Sequence, residues 1–304
     1  MKRIITLLLA LLIVFSFAAC DSGDSDDYIS YKDSNRKQNK DMEKDDDPSD
    51  TKVSKSEATP VPFQKQTVID DENILVQITE LEVTDSGYSI RIYAENYAEE
   101  ALSVCLDHVI VNGITYDTSF STKIVAGKKC NENLTLSRSK LSEYIDRFTK
   151  ITLPIYVKDD SYDHVAEESI SLYPYGEGLA RVYRRQALPT DIVVLDTADY
   201  SVIVSDYKEQ DSGFYVTLYV ENHSPEAIDV DMDDSSINDF MVSNYFYGKV
   251  IPSEACAFIE LSWSASTLQG KNIEEVKTVE FILYAYKAGE WRNKLFNETV
   301  KISV

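Results

Sequence analysis

Histidine is scarce in this chain of 304 residues: His108, His164 and His223 are the whole complement. None stands in H-x-H, H-E-x-x-H or another metal-binding spacing, so each reads as an exposed or hydrogen-bonded surface side chain. Glycine and proline are also sparse, at 10 and 8 residues, which excludes a collagen-like or wholly low-complexity chain. No G-x-S-x-G elbow, Walker loop or dinucleotide fingerprint occurs, and Gly176-Glu177-Gly178 is too short to cradle a phosphate. Basic charge is in deficit: 30 Lys and Arg face 52 Asp and Glu, a net charge of −22. That balance argues against nucleic acid, whose binding depends on Lys and Arg at phosphates, and against direct contact with an anionic membrane surface. It suits cationic partners or divalent ions, and also plain solubility outside the cell. Nothing in the sequence calls for a cofactor, and no catalytic residue is assigned.

Long apolar runs are absent after the first twenty residues. Lys2 and Arg3 precede an apolar stretch from Ile4 to Phe17, too short to span a bilayer comfortably. Phe17-Ala18-Ala19-Cys20 resembles the lipobox of bacterial lipoproteins, with Phe17 where Leu is usual. The resemblance implies that Cys20 takes a diacylglycerol, becomes the first mature residue and holds the protein at the extracytoplasmic face of the cell membrane. Lipid chains then supply the membrane affinity, at about 0.8 kcal/mol per buried CH₂. The competing reading is an A-x-A signal with release to the medium.

Residues 21–62 carry ten Asp, two Glu, six Lys and one Arg with almost no aliphatic side chains. Such a segment cannot offset chain entropy by burial, so it is expected to be a disordered acidic tether. Its reach is about 140 Å fully extended and ~35 Å as a flexible coil. An acidic recognition segment is the other reading.

The strongest internal signal is a repeat at an offset of about 126 residues. Asp85-Ser86-Gly87-Tyr88 through Glu95-Asn96 matches Asp211-Ser212-Gly213-Phe214 through Glu221-Asn222. Glu100-Ala101-Leu102 continues the match in Glu226-Ala227-Ile228, and Cys130 falls against Cys256. Tyr88, Ile90 and Ile92, like Phe214, Val216 and Leu218, alternate with other residues at period two, the mark of half-buried strands. Asp-Ser-Gly is a turn signal before each strand. These features predict an all-β protein of two tandem β-sandwich modules over 63–174 and 190–304, joined by a linker at 175–189. Helix is expected only as single turns near 139–145 and 266–272. The run from the Glu95-Asn96 turn to Val109-Ile110-Val111-Asn112-Gly113 and Val125-Ala126-Gly127 resembles a recurring immunoglobulin-like module of lipoproteins and surface proteins of Gram-positive bacteria, chiefly clostridia. The resemblance implies immunoglobulin-like sandwiches and no particular reaction. The second copy departs from it at Asn238-Asp239 and Pro252-Ser253.

Four groups invite chemistry. Asp229, Asp231 and Asp233 alternate like the start of a Ca²⁺-binding loop, but Asp234 and Phe240 occupy the positions that need Gly and Glu. The repeat places these Asp residues on the solvent face of a strand, so they are a candidate metal site only through crowding. With Cys20 acylated, Cys105, Cys130 and Cys256 remain, an odd number. They read as inert thiols, a Cys105–Cys130 bridge being the alternative. Arg181, Arg184 and Arg185 form a basic cluster at the module junction, suited to pairing with acidic neighbours or to contacting an anionic polymer. Tyr245, Tyr247, Trp263 and Trp291 suit sandwich packing or sugar stacking. The expected function is a non-catalytic surface protein that binds or scaffolds an envelope protein or wall polymer. The alternative is an enzyme, or an accessory module of one, acting on such polymers.

Overall fold

The computed structural model describes residues 58–304, apart from Tyr245. The signal segment, Cys20 and the tether up to residue 57 lie outside the described residues. Residues 58–62, expected from sequence to be the end of the disordered tether, instead run along the first module: the Val61 amide donates to the Pro174 carbonyl at 3.0 Å, and Ala58 packs on its core.

The first module contains β1 (Gln66–Asp70), β2 (Ile74–Val83), β3 (Gly87–Asn96), β4 (Leu102–Val111), β5 (Ile114–Ile124), β6 (Lys129–Ser137), β7 (Ile151–Lys158) and β8 (His164–Leu172). The second contains β9 (Ile192–Asp196), β10 (Tyr200–Gln210), β11 (Gly213–Asn222), β12 (Ile228–Ile237), β13 (Phe240–Met241), β14 (Lys249–Ile251), β15 (Ala255–Ser264), α1 (Ala265–Gly270), β16 (Thr278–Lys287) and β17 (Lys294–Ser303). Single-turn helices fall where the sequence predicts them, at Arg138–Leu141 and at α1, and a further, unexpected turn lies at Glu177–Leu179 in the linker.

In module 1, β1-β2-β3-β6 form one sheet and β5-β4-β7-β8 the other. The chain changes sheet after β3, after β5 and after β6, the Greek-key course of immunoglobulin-like sandwiches. Module 2 repeats the order, with β9-β10-β11-β15 facing a sheet of β13, β14, β12, β16 and β17. The period-two pattern explains the cores. Tyr88, Ile90, Ile92 and Ala94 on β3, and Phe214, Val216, Leu218 and Val220 on β11, are all fully buried. Each Asp-Ser-Gly turn needs its glycine for close approach. A Cβ at Gly87 would lie 2.0 Å from the Leu136 carbonyl oxygen, and one at Gly213 would lie 2.1 Å from that of Trp263.

Two asparagines per module fix the turns. Asn96 donates from Nδ2 to the carbonyls of Glu100 and Ile124 and accepts the Ala98 amide. Asn222 repeats this with Glu226, Ile251 and the Ser224 amide. Asn112 Oδ1 accepts from the amides of Thr149 and Lys150, and Asn238 Oδ1 from those of Lys277 and Thr278. Asn96, Asn112 and Asn222 are buried, and amide side chains that bridge loops there satisfy backbone groups that water cannot reach; Asn238 is half-buried.

The copies differ in one edge strand. β5 is continuous in module 1, but its counterpart leaves the sheet between β13 and β14. One extra residue enters there, and it corrects the cysteine alignment. Gly87 pairs with Ser137 and Gly213 with Ser264, so Cys256 is equivalent to Lys129, and Cys130 to Ala257. A one-residue slip reverses the face a side chain occupies. Cys130 therefore packs on the core of module 1, whereas Cys256 turns out of module 2 and joins the core cluster of module 1.

The modules share a sheet. β5 and β15 run parallel with Ile114 opposite Cys256, and the Cys256 amide donates to the Gly113 carbonyl at 2.9 Å. An eight-stranded sheet results, in the order β8-β7-β4-β5-β15-β11-β10-β9.

Candidate functional site

The seam between the modules is built like an interior. Tyr144 lies flat on Phe258 of β15, with ring centroids 3.5 Å apart and planes 5° apart. Tyr183, from the linker, meets Tyr144, Tyr219 and Phe258 edge-on. Its amide donates to the Asn112 carbonyl at 2.6 Å, which ties the linker to the turn before β5. Of the three linker arginines, Arg185 makes the structural pair. Its guanidinium donates twice to Asp191, at 2.6 and 2.5 Å, with the two side chains 9% and 6% exposed. The same guanidinium lies 5.6 Å from the centre of the Tyr219 ring. Arg185 holds the Asp191 carboxyl below the ordinary carboxylate range. Arg181 caps its own neighbour, donating to the Ala180 carbonyl, and Arg184 is exposed.

Beside this seam opens a cleft of about 590 Å³. Tyr116, Tyr144 and Phe258 give it aromatic walls, and Lys140, Lys208, Asp206 and Glu260 give it charge of both signs. Asp206 and Glu260 flank Thr217 on neighbouring strands. Tyr144 is pushed up to about 12, first by burial and then by Glu143, Tyr183, Glu260 and Asp206. Thr115, which also lines the cleft, is 4% exposed, and its hydroxyl has no hydrogen-bond partner among the described residues. Neither histidine nor cysteine lines the cleft. Stacking surface with flanking carboxylates, amines and hydroxyls can hold an extended polar chain.

The residues singled out by sequence are dispersed. His164 stacks on Tyr156 at 4.6 Å, and His223 lies 3.6 Å from Glu221. His108 is half-buried, and desolvation lowers it below the usual imidazole range. Asp229 is raised first by burial and then by Asp231. Tyr156 donates to Asp107 at 2.7 Å, whereas Tyr284 is raised first by burial and then by the nearby Asp231 and Asp233. Among the described residues no group of three or more His, Cys, Asp or Glu is placed to hold a metal ion, the Asp229, Asp231 and Asp233 run included. Cys105, Cys130 and Cys256 are free thiols. A Cys105–Cys130 bridge does not form, because Cys105 contacts the Ser121 hydroxyl on one sheet and Cys130 sits on the other. Burial raises the Cys256 thiol to about 12. Trp263 is core, hydrogen-bonded to the Ser235 hydroxyl, whereas Tyr247 and Trp291 are exposed. Tyr245 lies outside the described residues. The seam aromatics Tyr144, Tyr183 and Phe258 carried no sequence signal beyond ordinary core composition.

No protein-family model matches the chain, and no curated protein does. Among solved structures, an exo-chitosanase of Amycolatopsis orientalis aligns over 77% of this chain and 26% of its own, at 11% identity and a TM-score of 0.24. Red sea bream transglutaminase aligns over 79% and 31%, at 9% identity and 0.23. The chain thus spans only about a quarter to a third of these structures. Scores of this size carry nothing about activity. The fold is all-β, with two tandem sandwiches joined through one sheet. Among the described residues no helix is long and apolar enough to cross a membrane.

Proposed function

We propose that this chain is a lipid-anchored, non-catalytic protein of the cell surface that binds or scaffolds an envelope component, either a protein or a wall polymer. The anchor is the acylated Cys20, and residues 21–57 act as its spacer. The observation that supports this reading best is the cleft at the seam. It lies between two modules locked by a shared sheet, so its walls keep their spacing without a ligand, and preorganisation of this kind favours binding. Cross-linking capture from intact cells tests it, with tagged full-length protein and a Cys20→Ala control. A specific co-purifying protein or polymer, lost in the control, is the expected result. Absence of any specific partner contradicts it.

A second reading, an enzyme or accessory module acting on envelope polymers, draws on Asp206 and Glu260, two carboxylates that line one cleft. Paired carboxylates are the machinery of glycoside hydrolysis. Release of soluble fragments from purified wall by the full chain, abolished by Asp206→Asn, would favour it over binding alone.

A further inference from the structure

The internal seam shows what the free edges of the protein fit. It joins the leading end of β5 in module 1 to β15 of module 2 through Gly113 and Ile114. Each partner has an equivalent whose outer edge pairs with no strand among the described residues. The equivalent of Gly113-Ile114-Thr115 is Asp239-Phe240-Met241 in module 2, and the equivalent of Ala255-Cys256 is Lys128-Lys129 at the start of β6.

Three differences between the used and the free edges point one way. Ile114 and Thr115 are 0% and 4% exposed, Ile114 within the core cluster of module 1 and Thr115 at the cleft beside the seam, whereas Phe240 and Met241 are 52% and 58% exposed. Large apolar side chains thus stand uncovered at positions that are buried in the seam. Glycine at the turn is replaced by Asp239, while the small Ala255 and Cys256 are replaced by Lys128 and Lys129, of opposite charge at matching register; Lys129 already pairs with Glu95 at 2.9 Å, so Lys128 is the cation nearest to unpaired. Glu274 adds a further carboxylate beside Asp239 and Phe240, in a groove of about 500 Å³. The break in the strand after Met241 is no obstacle to strand pairing, because the ladder of the seam uses only the leading end of β5, although Asp117 further along β5 also pairs with Lys249 of module 2.

We propose that Asp239-Phe240-Met241 of one molecule docks on β6 of a second copy, in the parallel register of the internal seam, with Asp239 facing Lys128 and Lys129. The contact is heterologous: each copy offers one edge of each kind, so association proceeds head to tail. It is weaker than the internal seam, since the Tyr144–Phe258 stack is replaced at the equivalent positions by Lys271 and Asn131, both exposed. A lipid-anchored population confined to a membrane plane supplies the local concentration that a weak contact needs.

Sedimentation velocity of the full chain carrying Cys20→Ala, over a range of concentration and salt, tests this. The wild-type edges are expected to give concentration-dependent association that falls as salt rises. Asp239→Lys alone, or Lys128→Asp with Lys129→Asp, weakens association by about tenfold or more. An equimolar mixture of the two variants restores it, because each reversed edge then meets its complement. Phe240→Ser, which leaves the charges in place, also weakens it. Sedimentation that does not depend on concentration, or a mixture that fails to associate where wild type does, overturns the proposal.

Discussion

Tyr144 of the first module and Phe258 of the second lie face to face, 3.5 Å between ring centres, at the point where two sandwiches become one sheet. Neither residue belongs to a motif. Their contact sets the wall of the cleft and holds β15 against β5.

Removing that stack loosens the seam while leaving each core intact. Phe258→Ala is expected to cost about 2 kcal/mol, from lost burial and the aromatic pair. The linker around residues 186–190 becomes the first site cut in limited proteolysis. Cleavage at unchanged rate would show that the stack does not hold the modules.

The Arg185–Asp191 pair makes stability depend on pH in a defined direction. The Asp191 carboxyl is lowered in the folded protein, chiefly by its hydrogen bonds with Arg185. Its contribution is therefore full above the ordinary carboxylate value of about 4 and is lost as pH falls through the lower folded value. Asp191→Asn should flatten the acid limb of the stability curve. At neutral pH it should cost about 3 kcal/mol, since it leaves a buried guanidinium without its counter-charge. Denaturant melts of both proteins at several pH values measure this.

Asn222 and Asn96 are expected to be equally intolerant of change. Each is fully buried and holds carbonyls and an amide across a turn. Asn222→Ala orphans those groups and should cost about 3 kcal/mol in equilibrium unfolding. Asn96→Ala should match it within about 1 kcal/mol, the usual scatter between sites of the same chemistry. A large difference would mean that the two turns are not the same device.

Cys256 should resist thiol reagents in the native state at pH 8, because burial raises it to about 12 and it faces the seam. Phe258→Ala should expose it, so the rate of labelling reports opening of the seam.

Much of this was legible in the sequence. The alternation of Tyr88, Ile90 and Ile92 with its echo at Phe214, Val216 and Leu218 identified strands and repeat together, because period two is a physical consequence of the pleat. Asp-Ser-Gly marked the close approach at Gly87 and Gly213. The placement of Cys256 was not legible. Identity of residue type suggested that it matched Cys130, but the extra residue between β13 and β14 shifts β15 by one, and only strand pairing reveals that. The seam was hidden for a related reason. Phe258 and Tyr144 look like core residues of their own modules, and no periodicity shows that a side chain points at another module. The exposed Phe240 and Met241 were equally silent, because exposure depends on which edge is covered.

A cleft with fixed walls requires the two modules to form one rigid body, and differential scanning calorimetry of the full chain tests that most directly. A single transition, with calorimetric and van't Hoff enthalpies that agree for residues of both modules together, is the predicted result. Two resolved transitions, each with the enthalpy of one module, would contradict it: the seam would then be a passing contact and the cleft would have no fixed walls.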